Sequence, residues 1–279
     1  WKRNLIDSVA SNESPMMVDI DSDGKQDLVF GNEKLGQMAW FSASVRNKKV
    51  TWKCTPISEK NAKGVGLFSH GLGWGDINRD GLNDVIIRGG WWEAPKDIKS
   101  SPWKFHEADL GESCAQMLTY DFDNDGDVDM MAVGLLYVNW YENDGSGKLV
   151  ARIVREGLSR LLVSGGQDMK AADLDGDGDM DAVLTERTGD KMSWIENLGG
   201  GDFQKHLVYD QNDAYSCDVV DFDNDGDLDL YVVNDFGKNA YYRNAGGKFT
   251  EIGDEHGAAV PAAGMGVSAT DVDRDGNLD

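Results

Sequence analysis

The sequence predicts an all-β protein assembled from repeated four-stranded antiparallel units. Three observations carry that prediction. A nine-residue acidic loop, Asp121-Phe122-Asp123-Asn124-Asp125-Gly126-Asp127-Val128-Asp129, returns almost letter for letter at Asp221–Asp229. The same pattern stands at Asp19–Asp27, Asp76–Asp84, Asp173–Asp181 and Asp271–Asp279, so the loops start 45 to 57 residues apart. Short β-prone runs flank each loop and nothing reads as a long amphipathic helix, so one supersecondary unit fills each period.

The loop is built for a hard cation. Calcium takes six to eight oxygen ligands in flexible geometry, and alternating carboxylates on a tight turn present several oxygens to one concave side. Acidic side chains stand at loop positions 1, 3, 5 and 9: Asp19, Asp21, Asp23 and Asp27, then Asp121, Asp123, Asp125 and Asp129. They recur as Asp173, Asp175, Asp177 and Asp181, as Asp221, Asp223, Asp225 and Asp229, and as Asp271, Asp273, Asp275 and Asp279. The second loop has Asp76, Asp80 and Asp84, with Asn78 in place of one aspartate. Position 6 is glycine throughout, which allows the sharp turn. The carbonyl of position 7 can face an ion whatever its side chain, which suits the variety of Lys25, Leu82, Asp127, Asp179, Asp227 and Asn277.

An EF-hand is the rival reading. It requires a glutamate at position 12 and flanking helices. Position 12 here is Phe30, Ile87, Ala132, Leu184 and Val232, inside β-prone runs, so each loop is a calcium hairpin between two strands. The six loops hold 23 acidic side chains at ligand positions, and the net charge of the chain is −23. Two carboxylates ~4 Å apart repel by roughly 4 kcal/mol at an effective dielectric of 20, so such loops close around a cation. About six calcium ions are expected.

The rest of the unit follows in order. A first strand leads in, as at Met16-Met17-Val18 and Met117-Leu118-Thr119-Tyr120, and a second leaves, as at Met130-Met131-Ala132-Val133. A third carries aromatic residues: Met38-Ala39-Trp40-Phe41, Val138-Asn139-Trp140-Tyr141, Met192-Ser193-Trp194-Ile195 and Ala240-Tyr241-Tyr242. A Gly/Asn turn comes next, then an alternating fourth strand such as Phe203-Gln204-Lys205-His206-Leu207-Val208. Four antiparallel strands per ~50 residues describe a β-propeller blade. Residues 1–279 read as one such domain: an outer strand over 1–7, five full repeats and the opening of a sixth. Pairing of the N-terminal strand into a last blade would give six blades, or seven with more chain.

Composition narrows the function classes. The acidic balance and the lack of a basic stripe argue against nucleic acid. No apolar run approaches 18 residues, so no membrane span is expected. The chain opens at Trp1 with no charged-then-apolar leader and reads as a processed or partial product. Cys54, Cys114 and Cys217 form no CxxC and read as small buried residues, with one disulfide as the alternative. Low-affinity calcium loops fill at millimolar calcium, which places the protein outside the cell or at its surface.

On these loops the chain resembles the FG-GAP/VCBS repeat family, the calcium-loop propellers that include the integrin α-subunit head. The resemblance implies loops between the first and second strands of each blade, with metal-ligand roles at the positions named above. Asn234-Asp235-Phe236-Gly237-Lys238-Asn239-Ala240-Tyr241-Tyr242-Arg243-Asn244 is similar to the secreted CRTAC/UnbV-type repeat proteins. Ser69-His70-Gly71-Leu72-Gly73-Trp74-Gly75-Asp76 and Gly89-Gly90-Trp91-Trp92-Glu93-Ala94-Pro95 resemble propellers of bacterial surface proteins and of sugar-dehydratase-like enzymes. The family includes adhesion modules, carbohydrate-binding proteins and some polysaccharide lyases, so fold does not choose among them.

Three functional readings follow. The first is an extracellular binding or adhesion module for glycan or protein, with Lys60–Ser69 and Glu93–Ser101 as variable partner-facing loops. The second is a polysaccharide lyase or sugar dehydratase on the same scaffold. Its candidates lie in the second repeat: His70, Glu93 and His106 for proton transfer, and Trp91 and Trp92 for sugar stacking. Packing between blades is the plainer role for that tryptophan pair, since Trp40, Trp140 and Trp194 fall at the same point. The third is a subunit of a surface filament that self-assembles through an open strand edge. No GxSxG, P-loop or HExxH motif is present, and the calcium loops read as scaffold rather than catalyst.

Overall fold

A computed structural model gives the fold. It describes residues 6, 10, 15–47, 49–66, 69–111, 114–134, 136–153, 155, 156, 159, 160, 166–186, 191–210, 214–262, 264 and 266–269. Among these all regular structure is β, with no helix.

The described residues form five four-stranded antiparallel sheets. The first holds β1 (Met16–Val18), β2 (Asp27–Asn32), β3 (Gln37–Arg46) and β4 (Lys49–Pro56). The second holds β5 (Gly73–Gly75), β6 (Asp84–Ile87), β7 (Gly90–Glu93) and β8 (Lys104–Glu107). The third holds β9 (Cys114–Tyr120), β10 (Asp129–Gly134), β11 (Val138–Asn143) and β12 (Leu149–Ile153). A small hairpin, β13 (Arg155–Glu156) with β14 (Ser159–Arg160), follows it. The fourth sheet holds β15 (Gly166–Ala172), β16 (Asp181–Glu186), β17 (Lys191–Asn197) and β18 (Phe203–Asp210). The fifth holds β19 (Ala214–Val220), β20 (Asp229–Asn234), β22 (Ala240–Arg243) and β23 (Thr250–Glu251). A short pair, β21 (Gly237–Lys238) with β24 (Pro261–Ala262), lies outside it.

The expectation of six or seven blades is corrected to five among the described residues. Each sheet draws all four strands from one continuous stretch, so none borrows a strand from elsewhere in the sequence. The two features behind the larger count, the strand over 1–7 and the loop Asp271–Asp279, fall outside the described residues, Ile6 aside.

Chain packing divides the protein into two compact units. One comprises 1–119, 127–130 and 141–151, and the other 120–126, 131–140 and 152–279. The second strand of each sheet is the most deeply placed. Every residue of β6, β10 and β16 is buried, as their nearly unbroken apolar runs require of strands covered on both faces. Outer strands such as β8 are half-exposed. The first unit centres on Trp40, Ile57, Leu72, Val85, Trp92 and Trp103, and the second on Val183, Met192, Trp194, Cys217, Leu230 and Tyr242. Cys217 is a buried free thiol, as expected, whereas Cys54 is only partly buried. Burial pushes the Cys217 thiol pKa upward, which keeps it protonated and inert.

Register fixes where the acidic loops sit. Val18 pairs with Asp27, Gly75 with Asp84, Ala172 with Asp181 and Val220 with Asp229. Position 9 of each of these loops is therefore the first paired residue of the second strand, opposite the residue before position 1.

Candidate functional site

Each described loop is held by its own carboxylates. Position 1 accepts two backbone amides across the turn: Asp19 from Asp23 and Gly24, and Asp76 from Asp80 and Gly81. Asp121 takes Asp125 and Gly126, Asp173 takes Gly176 and Gly178, and Asp221 takes Asp225 and Gly226, at 2.8–3.1 Å. Position 5 caps the amide of position 7, as Asp23, Asp80, Asp177 and Asp225 do for Lys25, Leu82, Asp179 and Asp227. Position 6 glycines have φ between +82° and +102°. Position 4 is also left-handed in Ser22, Arg79, Asn124 and Asn224, a requirement that the sequence reading missed. Its signal was available, because Asn tolerates that backbone best among non-glycine residues.

The carboxylates converge. One oxygen from each of Asp19, Asp21 and Asp27 lies within 4.8 Å of the other two. Asp173, Asp175 and Asp181 do the same, and so do Asp221, Asp223 and Asp225. In the fifth loop Asp225 thus takes the place that position 9 holds in the first and fourth. The second loop, with Asn78, gathers no such acidic trio among the described residues. The ligands of the third loop divide between the units, with Asp121, Asp123 and Asp125 in one and Asp127 and Asp129 in the other. The sixth loop, Asp271, Asp273, Asp275, Asn277 and Asp279, lies outside the described residues.

These groups fit a hard cation. Asp21 Oδ1 and Asp27 Oδ2 are buried oxygens that accept no hydrogen bond. The donors are carboxylates and an amide oxygen, the set that calcium prefers. Burial, then the neighbouring carboxylates Asp21 and Asp23, raises the Asp27 pKa to about 6. Burial raises Asp84 to about 7 and Asp181 to about 6, and raises Asp229 as well. A bound calcium would offset that penalty by supplying the missing positive charge. In the first loop Lys25 does so in part: its Nζ is 2.6 Å from Asp23 Oδ2 and holds that carboxylate below its ordinary range.

Position 9 also ties the loop to its sheet. Asp84 accepts the amides of Ile77 and Ala94, Asp181 those of Leu174 and Asn197, and Asp229 those of Phe222 and Asn244. Asp129 accepts the Asn143 amide. Position 7 side chains turn to other partners. Asp127 pairs with Arg79 of the second loop at 2.6 Å, Asp179 takes Asn124 of the third loop at 2.7 Å, and Asp227 takes the Gly246 amide.

The catalytic candidates of the second repeat divide: His106, Glu93 and Trp91 meet, and His70 lines a separate cleft. His106 Nε2 meets Glu93 Oε2 at 2.6 Å, and its ring stacks on Trp91 at 4.1 Å between centroids. His106 and then Lys104 hold the Glu93 pKa below the carboxylate range. The fourth repeat duplicates the trio: His206 meets Glu196 at 2.5 Å and stacks on Trp194 at 4.7 Å. The same Trp–Glu–His trio thus recurs at matching points of two repeats. Trp91 and Trp92 are both buried, as the packing role requires. His70 lines a different feature, an open cleft of about 710 Å³ in the first unit. Lys63, Arg88, Glu107 and Asp109 line it with Ser69, and Lys63 Nζ lies 2.8 Å from Glu107 Oε1.

The repeated loop, its register and its carboxylate trios agree with one family model, the FG-GAP-like repeat, which matches residues 121–184, 173–232 and 221–279. The chain belongs to the FG-GAP-like repeat family. The matched windows together cover more than half of it, and the first two each run from one acidic loop into the second strand after the next. No curated protein matches. Among solved structures, an Agrocybe aegerita lectin described by its specific recognition of non-reducing terminal N-acetylglucosamine has a TM-score of 0.58 at 16% identity. The match covers 85% of this FG-GAP chain and 64% of the lectin. BBS1N, solved in complex with ARL6DN, has a TM-score of 0.50 at 11% identity, over 86% of this chain and 67% of that one. The V. cholerae biofilm matrix protein Bap1 has a TM-score of 0.46 at 16% identity, over 75% and 30%. The chain thus spans less than two thirds of the lectin and under a third of Bap1. For the lectin and BBS1N, at such identities, the likeness is one of fold alone.

Proposed function

We propose that this FG-GAP protein is an extracellular, calcium-stiffened β-propeller that binds a glycan or protein partner. The loops are its scaffold. Calcium at five or six of them would neutralise carboxylates that cannot otherwise crowd together, with the position 7 carbonyls completing the shell. Sites of this open, surface type fill at the calcium levels found outside cells.

The observation that carries the binding role is the cleft of the second repeat. In a chain of net charge −23 it gathers Lys63, His70 and Arg88 beside Glu107 and Asp109. Mixed charges and a hydroxyl on an open floor suit a polyhydroxylated ligand that carries carboxylate groups. The loop that contributes Lys63 and Ser69 is one of the two variable segments expected to face a partner. The enzymatic reading has less behind it, since the cleft that His70 lines does not include Glu93.

Binding of fluorescently labelled acidic and neutral oligosaccharides to the calcium-loaded chain tests this. Arg88→Ala is expected to weaken the best acidic ligand about tenfold, the loss of one charge-assisted contact, with the melting temperature unchanged. Retention of full affinity by both Arg88→Ala and His70→Ala would remove the cleft from the account.

A further inference from the structure

One motif remains without a role, the asparagine at the end of the third strand. Asn143 donates both Nδ2 hydrogens to backbone carbonyls, 2.9 Å to Val128 in its own loop and 2.8 Å to Ile77 in the preceding one. Asn197 does the same to Met180 and Phe122, and Asn244 to Leu228 and Leu174. The carbonyls are always position 8 of the residue's own loop and position 2 of the loop before. Each Oδ1 accepts a glycine amide of the following turn, from Gly145, Gly199 or Gly247. All three side chains are buried, so each is a fully satisfied amide stitched between two acidic loops.

The stitch continues into the ligand carboxylates. The Leu174 amide bonds Asp181 of the fourth loop, and the Leu174 carbonyl takes Asn244. The Asn244 amide then bonds Asp229 of the fifth loop, whose other oxygen takes the Phe222 amide. Hydrogen bonds relayed through Leu174 and Asn244 therefore join Asp181 of the fourth loop to Asp229 of the fifth. Repeat two lacks it. Ala94 stands at the corresponding point, its amide still bonded to Asp84 at 2.8 Å, and has no side-chain donor to reach the first loop.

We infer that Asn244 is a positioning residue that couples the fourth and fifth loops, so that ordering of one by calcium favours ordering of the other. Asn197 and Asn143 serve the earlier pairs, while the first and second loops, with Ala94 between them, respond independently. The inference rests on the calcium reading above. Coupling of this kind needs no large movement, because an ordered loop holds the shared amide for its neighbour and lowers the neighbour's ordering cost. The fourth and fifth loops are the cleanest pair. Position 4 of the fourth loop is Gly176, so it has no side chain like Asn124 or Arg79 to bridge to the next loop.

Hydrogen exchange read by mass spectrometry on the full chain tests this in millimolar calcium. Asp175→Ala disables the fourth loop, and exchange is followed over residues 221–229. With Asn244 present, that segment is expected to exchange about fivefold faster or more, the low end of ordinary coupling factors. With Asn244→Ala, adding Asp175→Ala is expected to bring no further change. The natural Ala94 shows that alanine is compatible with this fold. Asn244→Asp keeps size and the Gly247 contact but faces two carbonyls with an acceptor, and is expected to uncouple in the same way. Asp21→Ala in the first loop should leave residues 76–84 unchanged. Equal transmission in the Asn244→Ala background, or transmission from the first loop to the second as large as from the fourth to the fifth, would overturn the inference. Wild-type exchange indifferent to calcium in every loop would instead overturn the calcium reading, and this inference with it.

Discussion

Chelation of calcium is expected to lower the melting temperature by roughly 15–30 °C. Each loop filled at a hundredfold excess over its dissociation constant adds about 2.7 kcal/mol. Three such loops add about 8 kcal/mol, and a chain of this size shifts by about 2–4 °C per kcal/mol. The trios Asp19/Asp21/Asp27, Asp173/Asp175/Asp181 and Asp221/Asp223/Asp225 are the minimum set. The effect carries a pH signature in the same melting experiment. Asp27, Asp84 and Asp181 have folded pKa values of about 6 to 7, above their unfolded value. The metal-free folded chain therefore binds more protons than the unfolded chain between about pH 4 and 7, and its stability rises as pH falls through that window. Calcium competes with those protons, so the gap between loaded and chelated melts narrows over the same range. A melt indifferent to chelator, or a gap that widens on acidification, would count against the assignment.

The second large effect lies at the turn glycines. Gly201 has φ +81°, and a Cβ there would stand 2.6 Å from the Trp140 ring. Gly147 and Gly247 press on Trp91 and Trp194 in the same manner, at 2.7 and 2.9 Å. A buried tryptophan cannot yield cheaply, since overpacking costs about 1–3 kcal/mol, and a left-handed alanine costs about 1–2 kcal/mol more. Gly201→Ala is expected to destabilise by about 2–5 kcal/mol in urea unfolding with calcium present. The neighbouring Gly200, φ +63° with open space around it, isolates the backbone share, so Gly200→Ala should cost only about 1–2 kcal/mol. Equal costs for the two would mean that the glycine–tryptophan contact contributes nothing.

Much of this was legible in the sequence because it is local. The nine-residue loop, the β-prone runs on either side and the repeat of about 50 residues together specify a hairpin, its register and a blade. Asp27 and Asp229 begin their strands where the pattern placed them. What escaped was contact between repeats. Asn244 reaches a carbonyl 70 residues away and Asn143 one 66 residues away, and no local pattern reveals such partners. Trp140-Tyr141-Glu142-Asn143 and Trp194-Ile195-Glu196-Asn197 are plain in the sequence, but only the juxtaposed loops show why asparagine stands there. The same holds for Glu93. The sequence offered both His70 and His106 beside it, and the β7–β8 register, which sets Trp91 opposite His106, brings His106 rather than His70 to the carboxylate.

Calcium counting by equilibrium dialysis and elemental analysis tests the central claim most directly. The wild-type chain at millimolar free calcium is expected to hold several ions. Asp173→Ala, which removes the carboxylate that receives the Gly176 and Gly178 amides, should lower the count by one, and Asp173→Ala with Asp19→Ala by two. A wild-type count near zero, or one unchanged in the double variant while the fold is intact, would contradict it.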